Sequence, residues 1–237
     1  MPSKINLSLK YLKMQNNPLK PTVLIITELF PYDSDSFIGA FVVNQIQALK
    51  KKYNFIIIVP RFFGFSIKKQ ISKQQDNVNI YYIRQYSFFL LICRKLGILK
   101  SSTVAYINKL LIRKKILKLA QKLHKKYNFL LIHGHESYIG DEAGYIGRQL
   151  DVPSIITIHG IYEYHKLGWG EKIMGLIIKN LNKADKILAV SKISLNSYQK
   201  NGLSIKNYEI IPNIINKKKL DSSPKNGKIL LKIKKLF

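Results

Sequence analysis

Two short segments carry the side chains best suited to chemistry. His133-Gly134-His135-Glu136 sets two imidazoles two residues apart, and alternation in an extended chain turns both to one side. Two imidazoles and a carboxylate are metal ligands in kind. No Cys pair and no helical HExxH accompanies them, however, so metal ligation is not expected. The alternative is that His133 packs against its sheet while His135 lines a cleft. The second segment opens with His159-Gly160 and continues through Tyr162, Glu163, Tyr164, His165 and Trp169. Aromatic faces cover the C–H patches of a sugar while polar tips bind its hydroxyls, so this loop suits a saccharide. A histidine that only caps the next helix is the alternative.

Other chemistries find less support. There is no GxSxG elbow, and Cys93 lies in a basic apolar run without a nearby histidine, which leaves nucleophilic hydrolysis without its parts. Neither GxGxxG nor GxxxxGK[ST] occurs. In their place, Gly39 and Ala40 stand at the start of an expected helix. There the backbone N–H groups and the helix dipole can face an anion; a plain turn glycine is the alternative.

The elements that must position these groups follow from the hydrophobic pattern. Strands are expected at 23–26, at 55–59 with Pro60 as the stop, at 78–82, 129–132, 155–158, 187–190 and 208–211. Helices are expected from about residue 41 to Lys50-Lys51-Lys52, over 103–126, through Ala143, Ile146 and Leu150, over 171–182, and before the last strand. Along the 103–126 helix, Ile107, Leu110, Leu111, Leu117 and Leu123 are expected to share one side. Continuous apolar strands alternating with helices imply a doubly wound α/β fold, a mostly parallel sheet covered on both faces. Ligands of such sheets sit beyond the carboxyl ends of the strands, where both histidine segments begin. Residues 1–20 read as a flexible basic lead, 21–212 as one domain, and 213–237 as a basic tail too short for another.

Composition bounds the setting. The 237 residues include 40 Lys+Arg against 13 Asp+Glu, a formal net charge of +27, and 46% are hydrophobic, enough for a core. A single cysteine excludes an intramolecular disulfide and fits a reducing compartment. The best apolar run, Phe88 to Cys93, stops at Arg94-Lys95, and the N-terminus lacks an apolar h-region. A cytoplasmic protein is expected, at most peripheral on the inner face of the membrane. No acidic residue occurs between Asp76 and Glu136, so the basic stretch from Arg84 to Lys126 is expected to face an anionic membrane or a phosphorylated acceptor. The abundance of Lys, Ile and Asn throughout is also what an AT-rich coding sequence would produce. No nucleic-acid motif is present, and nucleic acid is not expected as a partner.

Four segments in order, FPYDSDSFIGAFVVNQIQALKKKYNFIIIVP, LLIHGHESYIGDEAGYIGRQLDVPSIITIHG, NKADKILAVS and YEIIPNIIN, closely resemble the N-terminal half of glycosyltransferase family 4. The resemblance spans about residues 22–216. It implies that 21–212 is the Rossmann-like, acceptor-side domain of a retaining, two-domain (GT-B) enzyme using a nucleotide-diphosphate sugar and no cofactor or obligatory metal. His159 would be the residue nearest the reacting sugar. Gly39 and Ala40 would approach the donor diphosphate, and His135, Glu136, Tyr162 and Glu163 would shape the acceptor side. Ile211-Pro212-Asn213 matches the IPNG segment that leads into the second domain.

The chain departs from that pattern in three places. Gly39 is followed by Ala40 where paired glycines are common, Ile214 replaces the IPNG glycine, and the donor-binding Arg, Lys and E-x7-E element are missing. A departing diphosphate needs fixed positive charge aimed at it. One helix N-terminus contributes ~0.3–1 kcal/mol, whereas millimolar binding takes ~4 kcal/mol. The expectation is therefore hexose transfer to a glycan or lipid-linked acceptor by a truncated or split enzyme, weak alone and needing a separate donor-binding half. A non-catalytic acceptor- or membrane-binding module is the alternative.

Overall fold

The computed structural model describes residues 20–30, 39–61, 70–75, 78–84, 92, 95–98, 100–135, 138–163 and 170–213. Eight strands form one sheet: β1 (Thr22–Ile26), β2 (Asn54–Arg61), β3 (Gln70–Gln75), β4 (Val78–Arg84), β5 (Phe129–His135), β6 (Ser154–Ile158), β7 (Lys186–Ala189) and β8 (Tyr208–Ile210). Five helices join them: α1 (Ala40–Leu49), α2 (Ser101–Tyr127), α3 (Glu142–Leu150), α4 (Glu171–Leu181) and α5 (Lys192–Lys200). The strand order is β3-β4-β2-β1-β5-β6-β7-β8. Seven strands run parallel, and only β3 is antiparallel, against β4 at the edge. The chain leaves β1 toward β2 on one side and reaches β5 on the other. The order therefore reverses between β1 and β5, the point where such sheets open a crevice.

The expected doubly wound α/β architecture is what forms, because each central strand is apolar on both faces. In β1, Val23 and Ile25 pack with Val42 and Ile46 of α1. The intervening Leu24 and Ile26 pack with Ile112 and Ile116 of α2, Ile146 of α3 and Ile177 of α4. The core is thus two apolar layers separated by the sheet, with α1 on one face and α2 to α5 on the other.

Four expectations need correction. Pro60 does not end β2, which runs on to Arg61. Ile58 O accepts from Thr27 N on the β1 side, so Pro60, two residues on, faces that side past the end of β1, where a missing N–H has no strand to serve. Strand β3 was not expected, since QISKQQ offers no apolar alternation; an edge position does not require one. The third correction concerns α2, which is rotated from the anticipated face. It buries Val104, Asn108, Lys109, Ile112, Ile116, Leu119, Ala120 and Leu123 and leaves Leu111 exposed. Not every basic residue from Arg84 to Lys126 faces outward either. Lys109 is fully buried, Arg113 pairs with Glu142, and Arg84 is half-buried. The N-terminal lead, Cys93, Glu136, Tyr164 to Trp169 and the tail from Ile214 lie outside the described residues.

Candidate functional site

The site is built from residues at or beyond the carboxyl ends of β1, β5, β6 and β8. Strand register sets their level: Ile26 of β1 pairs with Gly134 of β5, and His135 of β5 pairs with Thr157 of β6. His133 and His135 project to one side, as alternation requires, with ring centroids 4.1 Å apart. Both are buried. His133 Nε2 lies 2.8 Å from the Thr157 hydroxyl, and His135 Nδ1 lies 3.4 Å from His159 Nε2. Phe41, in the first turn of α1, lays its ring against His159 at 4.0 Å between centroids and reaches His135 at 5.8 Å. From beyond β8, the side chain of Asn213 stands near enough to His159 to favour its charged form.

Among the described residues, no carboxylate holds these imidazoles charged. Burial pushes His133 down to about 4, with His159 nearby adding to the effect. Burial likewise lowers His135 well below its ordinary value, reinforced by His133 and His159. His159 falls to about 4 by burial, while Asn213 pulls the other way. All three are therefore neutral near pH 7. Among the described residues, the buried His135 Nε2 and His159 Nδ1 have no hydrogen-bond partner, which gives the cluster unused capacity to bind a hydroxyl. Among the described residues, no group of three or more His, Cys, Asp or Glu is placed to hold a metal ion.

Gly39 caps α1 at φ 74°, and a Cβ there would meet Leu29 O at 2.2 Å and Phe30 Cα at 3.0 Å. Only glycine fits both the backbone angle and the contact. The glycine thus packs α1 onto the loop that leaves β1. That loop is itself fixed, because Leu29 N donates to Thr27 Oγ1 and Arg61 donates to Phe30 O. Ala40 begins the helix and Phe41 follows it to His159, so the start of α1 and the histidines share one corner.

Gly134, between the two histidines of β5, has no room for a Cβ, which would meet Gly140 O at 1.9 Å. The turn at 138–141 therefore folds directly onto β5. Beneath it lies a charged cluster. Lys109 of α2 donates to Tyr138 O and to Asp141 Oδ1 at 2.8 Å, and stands 3.1 Å from Glu142 Oε1. Asn180 of α4 donates to Asp141 Oδ2 at 2.7 Å, and Arg113 donates to both Glu142 oxygens at 2.6 and 3.2 Å. Lys109, Asp141 and Glu142 have fully buried side chains. Burial works against the Lys109 charge, but Asp141 and Glu142 more than offset it and raise its pKa.

The structure brings His135, His159, Gly39 and Ala40 together. Tyr162 and Glu163 turn instead to α5. Tyr162 is buried edge-on against Tyr198, its N–H donating to Ser197 Oγ, and Glu163 accepts from Asn201. Sequence reasoning passed over two residues of the site. Phe41 read as one more apolar position of a helix, although its place two residues after Gly39 put it at the sheet's edge. Asn213 was noted as part of a segment but not as a neighbour of His159, and no local signal links residues 54 apart.

Comparison with known proteins places this geometry. The model of Glycosyltransferase Family 4 matches residues 39–219. Solved structures share the fold at low identity. A structure described as trehalose-6-phosphate from E. coli bound with UDP-2-fluoro glucose aligns with TM-score 0.56 and 11% identity, over 88% of this chain and 53% of that one. Sucrose-phosphate synthase from Thermosynechococcus elongatus aligns with TM-score 0.54 and 16% identity, over 82% and 48%. An alpha,alpha-trehalose-phosphate synthase (UDP-forming) from Burkholderia vietnamiensis gives 0.51 and 13%, over 78% and 44%. This chain spans about half the length of these structures. No curated protein sequence matches it. The family match covers most of the chain and includes both histidine segments, the start of α1 and Asn213: the chain belongs to Glycosyltransferase Family 4.

Proposed function

We propose that this chain forms the acceptor-side lobe of a retaining glycosyltransferase. It would move a hexose from a nucleotide-diphosphate sugar to a glycan or lipid-linked acceptor, together with a donor-binding lobe on the same or another polypeptide. The observation that carries this reading is the corner where His159 meets His135 at 3.4 Å, Phe41 at 4.0 Å between rings, and Asn213. A neutral imidazole with a spare ring nitrogen binds a sugar hydroxyl by hydrogen bonding and adds no charge to the reacting centre. His159 is assigned that contact, nearest the reacting sugar. Gly39 and Ala40, at the N-terminus of α1, are assigned the approach to the diphosphate, where backbone N–H groups and the helix dipole favour an anion. His135 positions His159 and borders the acceptor side, the side to which the family resemblance also assigns Glu136. Tyr162 and Glu163 support that side through α5.

The test is a transfer assay on this chain joined to or mixed with a lobe bearing the donor-binding element, alongside calorimetry with UDP, GDP and their sugars. His159→Ala is expected to lower transfer by at least about a hundredfold while leaving nucleotide affinity within a fewfold, since a lost catalytic hydrogen bond acts on the transition state. Transfer at the wild-type rate by the His159→Ala variant would remove the assignment. A non-catalytic binding module would take up acceptor and transfer nothing in either form.

A further inference from the structure

We propose that the outward stripe of α2 is a docking surface for an anionic lipid bilayer. The stripe reads Ile107, Leu111, Lys114, Lys118, Lys122, Lys125, at the three- and four-residue steps that keep side chains on one helix face. Its first half is apolar. Ile107, Leu110, Leu111 and Leu117 line a trough of about 330 Å³ between α2 and α3, floored by Tyr145 and edged by Arg113 and Lys114. Leu111 remains 37% exposed, and just ahead of α2 the chain presents Leu96 and Ile98 at 67% and 65% beside exposed Lys95 and Lys100. Its second half is cationic. Lys114, Lys115, Lys118, Lys122, Lys125 and Lys126 are all exposed, and α2 contains no acidic residue.

An apolar trough continuous with a lysine row matches one partner in chemistry. Acyl chains fill the first part and anionic headgroups the second, the arrangement of helices that lie in a membrane interface. No helix among the described residues is long and apolar enough to cross a bilayer, so attachment of this kind would be peripheral. Nucleic acid fits less well. Its grip on single strands uses exposed aromatic faces, and the aromatic ring of the trough, Tyr145, is covered by Arg113 at 4.6 Å and Lys183 at 4.9 Å. The rotation of α2 explains how the surface arises. Turning Val104, Ile112 and Ile116 inward leaves Leu111 at the surface and Ile107, Leu110 and Leu117 only half-buried along the trough. This inference does not rest on sugar transfer, and a chain that moves no sugar would still dock.

Net charge alone would draw the protein to any anionic surface, so the test compares faces. The intact chain is floated with phosphatidylcholine vesicles and with vesicles containing roughly a third phosphatidylglycerol, at low and at about 0.5 M salt. K114Q/K118Q/K122Q and L111Q test the stripe. K50Q/K51Q/K52Q, three exposed lysines at the end of α1 on the opposite face, serve as the charge-matched control. All are surface changes, and melting curves check their fold. Expected is binding to the anionic vesicles only, a loss of about a hundredfold in the stripe variant, at roughly fivefold per lysine, and a change under threefold in the control. The L111Q variant is expected to lose the binding that survives high salt. Equal losses in the two lysine variants, an unaffected L111Q variant, or duplex DNA bound in preference to vesicles would each overturn the proposal.

Discussion

Strand β5 separates two buried polar clusters that solve the same problem differently. On the α1 side, His133 and His135 are buried and His159 half-buried, with a hydroxyl, an amide and one another as neighbours, and they give up their charge. On the α2 side, Lys109 is buried completely and keeps its charge, because Asp141 and Glu142 face it. Burial alone therefore does not decide ionisation; the partner does. The charged cluster is a fastening that ties α2, α3 and α4 to the turn folded onto Gly134. The neutral cluster keeps ring nitrogens that have no hydrogen-bond partner among the described residues, and it stands at the carboxyl edge of the sheet.

The contrast is broken most forcefully by removing the cation. Lys109→Met would leave Asp141 and Glu142 buried with less compensation, a change that costs ~3–5 kcal/mol. Urea unfolding at about pH 8, where Asp141 held at about 7 is largely ionised beside Lys109, should show that loss, and Lys109→Met/Asp141→Asn should recover a good part of it by removing the group left without its cation. A single variant within ~1 kcal/mol of wild type would mean that the cluster is not the desolvated charge network described.

Acid titrates the other side. His133 moves from 6.5 to about 4 on folding, so the unfolded chain takes its proton first as the pH falls. Stability from this group is complete above 6.5 and is lost on the way down to 4, by ~3 kcal/mol at the end of the window. His159, also held at about 4, acts in the same direction. Asp141 opposes them. Burial raises it to about 7, with Glu142 adding and Lys109 and Asn180 resisting, so its folded form holds a proton that the unfolded form releases. Denaturation at several pH values should therefore show a shallower acid loss in His133→Asn than in wild type, and a steeper one in Asp141→Asn. Parallel profiles for all three proteins would sink the assignment of neutral histidines.

Thr157→Val sharpens the comparison within the histidine cluster. It keeps the shape and removes the hydroxyl 2.8 Å from His133 Nε2, stranding a buried polar atom for ~1–3 kcal/mol. Ring-nitrogen shifts of His133 should move in the NMR spectrum while the melting cooperativity persists. Unchanged His133 signals would mean that the hydroxyl is not its partner.

The sequence made one of these clusters visible and hid the other. His133 and His159 stand at the ends of apolar strands whose lengths are readable, so the edge of the sheet was located to a residue or two, and alternation joined His135 to His133. Lys109 had no such marker. A lysine in a helix normally reaches solvent, and its carboxylates lie 32 and 33 residues away, brought near only by the crossing of α2 over α3. The same blindness rotated α2 by one apolar row. Val104, Ile112 and Ile116 repeat as well as Ile107, Leu111 and Leu117, and periodicity cannot choose between two apolar rows when the tertiary partner is unseen. Pro60 and β3 were missed because a strand's tolerance for proline or polar residues depends on which neighbour it lacks.

An exposed ion pair gives the smallest expected effect and isolates what burial contributes. Lys186 and Glu209 join β7 to β8 at 2.6 Å, shorter than the 2.8 Å between Lys109 and Asp141. Distance alone would rank the surface pair as the stronger. Yet its side chains keep 32% and 52% of their exposure, so water competes for both charges and each remains solvated when the other is removed. Lys186→Gln should therefore lower the free energy of urea unfolding by no more than ~1 kcal/mol, and added salt should erase even that. A loss comparable to Lys109→Met would show that contact geometry governs these pairs, and the distinction between the paired interior and the solvated surface would fall with it.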